Sequence, residues 1–398
     1  VPQIQDSQPE KVVLVGVISS ASEQGAGNGS LDELARLADT AGAVEVDRFI
    51  QVRAKPDPAT YIGKGKALEV VERARELGAH AIVFDDELAP AQGRNLEDLA
   101  GVNPLAPDAL KIIDRTGLIL DVFAQHAHSA EGKLQVELAQ INYLTPRLRG
   151  WGDVMSRIGG GRGAAGGGTG PGLGTRGPGE TKLEVDRRRI QRRLKQLKLE
   201  LAQVERTRTV KRAQRVRSGI PQICLVGYTN AGKSTLLNAL TGAGVLVEDR
   251  LFSTLDPTAR KLRLPGGAEA VLIDTVGFVR KLPHQVVEAF RSTLEETNHA
   301  DLLLHVVDAT ESDPKDVAAA VESVLAEIGS GDIARVVALN KMDLVPEDER
   351  LDLLADLRNP VMVSARSGAG LKDLLAAIAR ALPARPGSKA TQQSHYPS

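Results

Sequence analysis

The chain has 398 residues, 42% of them hydrophobic and 25% charged, with 3% aromatics and a formal net charge of −1. Such a composition points to a soluble globular protein of about two or three domains, packed mainly through aliphatic side chains. It excludes a disulfide scaffold, because Cys224 stands alone, and a membrane span, because no apolar run nears the roughly 20 residues required.

The opening run Val1-Pro2-Gln3-Ile4-Gln5-Asp6 carries neither a basic stretch nor an apolar core, so no secretory signal is expected there. It also lacks an initiator Met, and a native N-terminus ahead of Val1 is expected. Cys224 sits in an apolar run and reads as core packing in a reducing cytoplasm.

Over the first ~125 residues, strand and helix patterns alternate. Lys11–Ile18 reads as a buried strand, Leu31–Ala41 as a helix, Ala43–Val52 as a strand and Ala67–Leu77 as a helix. Ala81–Phe84, Pro90–Leu99, Lys111–Ile113 and Leu118–Ala127 continue as strand, helix, strand and helix. This alternation predicts a small parallel-sheet domain. Tyr61-Ile62-Gly63-Lys64-Gly65-Lys66 looks like a phosphate loop, but no Ser or Thr follows Lys66. It reads either as a turn ahead of a helix or as a second nucleotide contact.

Two heptad-like segments follow. Leu134, Leu138, Ile141 and Leu148 keep a 4–3 rhythm with Thr145 in the missing slot, and Ile190, Leu194, Leu197, Leu201 and Val204 keep it unbroken. A 3.5-residue period favours helices paired along a narrow seam, here an antiparallel hairpin. Between them, residues 159–179 hold 12 glycines in 21 positions, too many to pack a core. Arg147, Arg149, Trp151, Arg157, Arg162 and Arg176 decorate this tip. Guanidinium and indole planes on a mobile segment suit stacking on RNA bases; the other reading is a plain linker. Arg187–Arg217 carries 13 Lys/Arg against two acids, whereas Ser218–Leu382 carries 16 against 23. That segregation suggests a polyanionic partner for the basic helix, or otherwise a solvated face.

The next segment carries the chemistry. Gly227-Tyr228-Thr229-Asn230-Ala231-Gly232-Lys233-Ser234-Thr235 fits a phosphate-binding loop between an apolar strand, Ile223–Val226, and a helix from Ser234. Lys233 is expected to reach the β- and γ-phosphates and Ser234 to hold Mg²⁺. Ala270–Gly277 is a strand ending in Asp-x-x-Gly, placing Asp274 near the metal and the Gly277 N–H near the γ-phosphate. In the loop Phe252–Thr258, Thr254 is chosen to complete the metal shell, with Thr258 as the alternative. Asn340-Lys341-Met342-Asp343 ends another strand, and the Asp343 carboxylate matches the N1–H and N2–H of guanine. Lys341 is placed over the base plane, and Ser364 and Ala365 close over it. Asp313-Pro314 is an N-cap with proline at the first helical position. Four signatures in order, each at a strand end, make this a GTPase domain.

The run Asp274-Thr275-Val276-Gly277-Phe278-Val279-Arg280-Lys281-Leu282-Pro283-His284, continuing through Ala289–Glu296, resembles the switch region of HflX GTPases. Leu134–Gln140, Gly177–Thr181 and Phe84-Asp85-Asp86-Glu87-Leu88 resemble that family too, and the match covers about residues 11–382. The resemblance implies a cytoplasmic GTPase that binds the large ribosomal subunit and its RNA, with the hairpin tip near the peptidyl transferase centre, and that separates stalled or idle ribosomes. The alternative is an RNA- or ribosome-binding GTP switch without splitting activity. Phe278 stands where many GTPases place a Gln that orients water, so slow unaided hydrolysis is expected. Asn230 stands where related GTPases hold K⁺, or else braces the loop. Some family members carry a further C-terminal domain, whereas only a short tail follows Leu382 here.

The expected fold is α/β: an N-terminal parallel-sheet domain (1–125), an antiparallel helical hairpin (126–217) with a Gly/Arg-rich tip at about 149–180, a Ras-like phosphate-loop GTPase domain (218–382) and a disordered tail (383–398). The expected catalytic residues are Lys233, Asp274, Gly277, Thr254 and Asn230, with Ser234, Thr254 and Asp274 on the metal. Mg²⁺ and K⁺ are the cofactors, GTP/GDP and the large ribosomal subunit the partners, and the chain acts as a monomer.

Overall fold

A computed structural model describes residues 9–20, 24–101, 109–147, 182–217, 219–242, 258–281, 283–290, 296–350 and 359–383, with Leu251, Phe252, Leu255, Leu353 and Leu357 between them. The chain divides into two compact units, Val1–Glu205 with Lys281–Ala289, and Arg206–Arg280 with Phe290–Ser398. Among the described residues no helix is long and apolar enough to cross a membrane.

The first unit is built as β1 (Glu10–Ile18), α1 (Gln24–Thr40), β2 (Ala43–Val52), α2 (Lys64–Glu76), β3 (Ala81–Phe84), α3 (Pro90–Leu99), β4 (Lys111–Asp114) and α4 (Arg115–His126). Its sheet runs β2-β1-β3-β4 with parallel neighbours throughout, as the alternation predicts. α1 begins seven residues before the predicted Leu31, at Gln24, because its glycines read as loop while packing demands them. A Cβ at Gly27 would lie 2.5 Å from Ile18 Cγ2, so the helix reaches β1 only without a side chain there. The Tyr61–Lys66 run is a turn into α2, with Tyr61 (φ 63°) and Gly63 (φ 37°) in the left-handed region.

Arg115 is 1% exposed, between Glu33 at 2.9 Å and Asp85 at 2.8 Å. A buried guanidinium persists only when paired in this way. Asp85 also meets Lys281 at 2.6 Å. Burial alone would raise the Asp85 carboxyl, but Arg115 and then Lys281 outweigh it and hold it below the usual carboxylate range.

Helices α5 (Ala130–Leu144) and α6 (Lys182–Arg217) form the expected hairpin. Ile141, Ile190 and Leu197 are buried in its seam, with Leu134, Leu138, Leu144 and Leu194 against them. Leu148 lies outside the described residues, and Thr145 already belongs to a 3₁₀ turn, so the described part of α5's stripe stops at Leu144. Arg147 corrects one expectation. It does not decorate the tip: its guanidinium donates to Leu88 O (2.7 Å) and to Asp114 and Glu87 (both 3.2 Å), and stacks 3.8 Å from the Tyr143 ring centroid. Two acids distant in sequence capture it, and the stacked ring adds a cation–π contact.

The second unit contains β5 (Gln222–Gly227), α7 (Lys233–Thr241), β6 (Thr258–Arg263), β7 (Glu269–Asp274), β8 (Leu302–Asp308), α8 (Pro314–Glu327), β9 (Arg335–Asn340), β10 (Val361–Met362) and α9 (Leu371–Ala381). The sheet order is β10-β9-β8-β5-β7-β6, parallel except for β6 on β7. β6 escapes the pattern reading because its charged alternation (Thr-Ala-Arg-Lys-Leu-Arg) buries Leu262 and leaves its other face wet, as an edge strand does. Ile223, Leu225, Leu236, Leu272 and Leu304 are fully buried in one cluster, each contributing about 2 kcal/mol relative to exposure. α8 starts as predicted, Asp313 accepting from the Asp316 N–H at 2.9 Å ahead of Pro314.

Candidate nucleotide site

All six residues of β5 are buried, and the strand delivers the phosphate loop at the C-terminal edge of the sheet, where α/β folds bind ligands. Gly227 is required there: a Cβ would stand 2.2 Å from Val306 O on the neighbouring strand. The loop then turns through Asn230 (φ 60°) and Gly232 (φ 88°). Asn tolerates that conformation, and at Gly232 a side chain would collide with Asn340 Nδ2 at 2.4 Å. α7 begins at the next residue, so the N–H groups of its first turn face the loop's hollow and favour an anion. Thr229 and Ala231 are buried in the loop, and Thr235 is half-buried in α7.

Lys233 crosses beneath the loop and donates to Gly227 O at 3.1 Å and Tyr228 O at 2.8 Å. Burial pushes its ammonium down to about 8, opposed by Asp274. The group therefore remains charged at neutral pH and aimed at the phosphate hollow. Ser234 Oγ donates to Asp274 Oδ2 at 2.6 Å, and Asp274 is fully buried. A hydroxyl and a carboxylate in contact are hard oxygen donors of the kind Mg²⁺ takes, so the residues fit that ion. Bound there, Mg²⁺ would supply charge neutralisation of the terminal phosphates. Gly277 approaches the same place: a Cβ would lie 2.9 Å from Lys233 Nζ and 2.8 Å from Thr229 Cγ2.

The base end gathers around Asn340. Its Nδ2 donates to Ala231 O at 2.9 Å, and its Oδ1 accepts from the Ala365 N–H at 3.0 Å. One amide thus ties the phosphate loop to the Ser364-Ala365 turn. Lys341 (φ 65°) is held by Asp308 at 2.6 Å, and Asp343 is exposed on the 3₁₀ turn Met342–Leu344. Ser364 is 1% exposed, and its Oγ accepts from the Ser367 N–H at 3.0 Å.

The structure therefore brings together Gly227–Thr235, Asp274 and Gly277, and it ties Asn340 to the phosphate loop at Ala231 and to the Ser364-Ala365 turn at Ala365. Thr254 lies outside the described residues, and its alternative, Thr258, begins β6 opposite Asp274. Arg149, Trp151, Arg157, Arg162 and Arg176 also lie outside them. Asp308 and the Tyr228 hydroxyl, which accepts from the Arg280 N–H at 2.6 Å, are contributions the motifs do not announce. Asp308 had one signal, as the acid ending the apolar run Leu302–Val307 beside the Lys341 strand. His305 is 1% exposed and pushed down to about 4 by burial, with Arg335 and Lys233 nearby, so it is a neutral core histidine.

Residues 28–124 match a family described as GTP-binding GTPase N-terminal, residues 126–215 one described as GTP-binding GTPase Middle Region, and residues 222–341 one described as 50S ribosome-binding GTPase. GTPase HflX of Caldanaerobacter subterraneus subsp. tengcongensis is 48% identical over 376 residues, covering 94% of this chain and 81% of that protein. GTPase HflX of Lacrimispora saccharolytica is 49% identical over 367 residues, covering 92% and 81%. A GTP-binding protein of the archaeon Sulfolobus solfataricus, solved in complex with GDP, aligns at 24% identity with a TM-score of 0.43, covering 93% of this chain and 98% of that one. With phosphate loop, Asp-x-x-Gly and guanine-type strand ends assembled in one site, and with identity of this extent along its length, the chain is a GTPase and belongs to the HflX family.

Proposed function

We propose that this GTPase binds the large ribosomal subunit through its RNA, in the cytoplasm, and uses GTP to split or rescue ribosomes. The observation that carries the reading is the basic face of α6. Arg188, Arg189, Arg192, Lys195 and Lys198 are exposed along it, while Ile190 and Leu197 turn into the hairpin seam. A long helix presenting cations at this density suits a phosphate backbone. The description of the family matched by residues 222–341, ribosome-binding, agrees with it. Sedimentation of ribosomes with the protein and GTP tests the reading. Subunit peaks are expected; intact monosomes with co-migrating protein would favour a GTP switch without splitting. Binding is expected to weaken with salt at a log–log slope of about −0.7 to −0.9 per phosphate contact, and salt-insensitive binding would contradict an RNA partner.

Within the site, Lys233 and the α7 N-terminus present positive charge to the terminal phosphates, and Ser234 and Asp274 would hold a Mg²⁺ that adds to it, which is most of what phosphoryl transfer asks of a protein. Thr254 is proposed to complete the metal shell. The Phe278 ring is 1% exposed and offers no polar atom to an attacking water, so hydrolysis is proposed to be slow alone and quickened on the ribosome. K⁺ beside Asn230 is proposed to contribute charge as an arginine finger does. Faster hydrolysis in K⁺ than in Na⁺ is expected; equal rates would remove the ion from the mechanism.

A further inference from the structure

The pairing of β5 with β7 ends at Leu225–Asp274, yet the two chains meet again further on. Tyr228 and Phe278 form an isolated parallel bridge, in which the Phe278 N–H donates to Gly227 O at 3.1 Å and the Thr229 N–H to Phe278 O at 2.8 Å. The step from the last pair to the bridge is one residue longer on the Asp274 side, so that chain must bulge between the two pairings. Gly277 lies in the bulge, the residue whose missing Cβ leaves room for Lys233 Nζ. Both ends of the bulge are fastened. On one side the Thr275 hydroxyl donates to Leu225 O at 2.6 Å, and on the other the Tyr228 hydroxyl accepts the Arg280 N–H at 2.6 Å. The Arg280 guanidinium meets Asp316 of α8 at 2.8 Å, an exposed pair of small worth.

We infer that Tyr228 is a positioning residue for GTP hydrolysis: its hydroxyl closes a clamp that holds Gly277 against the phosphate-binding Lys233. The reach requires a tyrosine. From position 228 the acceptor must pass Phe278 and reach the N–H two residues further on, a distance that the short side chain of a serine or threonine does not span. Phe278 (1% exposed) and Tyr228 (6% exposed) are both packed away while Arg280 is half-buried, so the acceptor is shielded and its removal leaves the Arg280 N–H without it. A glycine loop fastened at both ends needs little further ordering when a terminal phosphate arrives beside Lys233. GDP keeps a β-phosphate beside Lys233 but has no γ-phosphate to set against Gly277, so the clamp acts on GTP and on the transition state far more than on GDP.

Tyr228→Phe keeps the ring and deletes the acceptor. Affinities for GDP and for a non-hydrolysable GTP analogue, with kcat and KM, separate the possibilities. GDP affinity is expected to stay within about twofold, while analogue affinity and kcat/KM fall about five- to tenfold. Equal weakening for both nucleotides would make Tyr228 a brace of the phosphate loop and overturn the assignment. No change in either would overturn it too. Amide exchange in the wild-type protein gives a second readout: the Arg280 N–H is expected to exchange more slowly with the analogue bound than with GDP, and equal exchange would sink the clamp. The inference rests on Lys233 and Gly277 facing the terminal phosphates; a wild-type protein that bound GDP and the analogue equally would fault that premise and not Tyr228.

Discussion

Asp343→Asn is expected to lower GTP affinity at least about a hundredfold and to raise affinity for xanthosine triphosphate. In the proposed base site the carboxylate offers two acceptors to guanine's N1–H and N2–H. An asparagine offers one acceptor and one NH₂ donor, so one guanine donor is left facing another donor. Xanthine carries a carbonyl where guanine carries its amino group, and the donor then finds a partner. Asp343 is exposed on its 3₁₀ turn, so the substitution leaves the core alone and the change is confined to recognition. Competition of the two triphosphates for a fluorescent nucleotide measures it. Unchanged preference for GTP would remove Asp343 from the base site.

Lys233→Met is expected to reduce GTP hydrolysis about a thousandfold, in the range seen when a charge-stabilising donor is removed from a transition state. The same substitution is expected to leave the unliganded protein no less stable. Lys233 is 7% exposed and its ammonium is pushed down to about 8 by burial, so the folded protein holds a charge at neutral pH that desolvation disfavours. A thioether chain fills similar volume without that cost, at the expense of two bonds to Gly227 O and Tyr228 O. Thermal unfolding without nucleotide and single-turnover hydrolysis give the two halves. Loss of stability with hydrolysis intact would make Lys233 a structural residue.

Much of the site is readable in the chain because its chemistry is written in short contiguous runs at strand ends. Gly227–Thr235 and Asn340–Asp343 each present backbone and side chains within a few residues, and β5, β7 and β9 announce themselves as apolar runs. What is not readable joins residues that the chain keeps apart. Asn340 and Ala231 are 109 positions distant, and Tyr228 and Arg280 are 52. Arg115 is buried only because Glu33 and Asp85 converge on it, a constellation no local pattern reveals. Arg147 misleads for the same reason: beside Arg149 it reads as part of a basic tip, but Glu87 and Asp114 decide its place. The early start of α1 is hidden differently, by glycines whose helical cost is outweighed by the close approach of Gly27 to Ile18.

The Asn340 amide has a consequence for how binding free energy is apportioned. Its nitrogen holds Ala231 in the phosphate loop while its oxygen holds Ala365, the residue proposed to close over the base. The two halves of the pocket thus share one planar group, and a displacement at either end is felt at the other through a single rigid plane. A nucleotide's affinity is therefore expected not to factor into a purine share and a phosphate share, and changes made at the two ends of this pocket are expected to be non-additive.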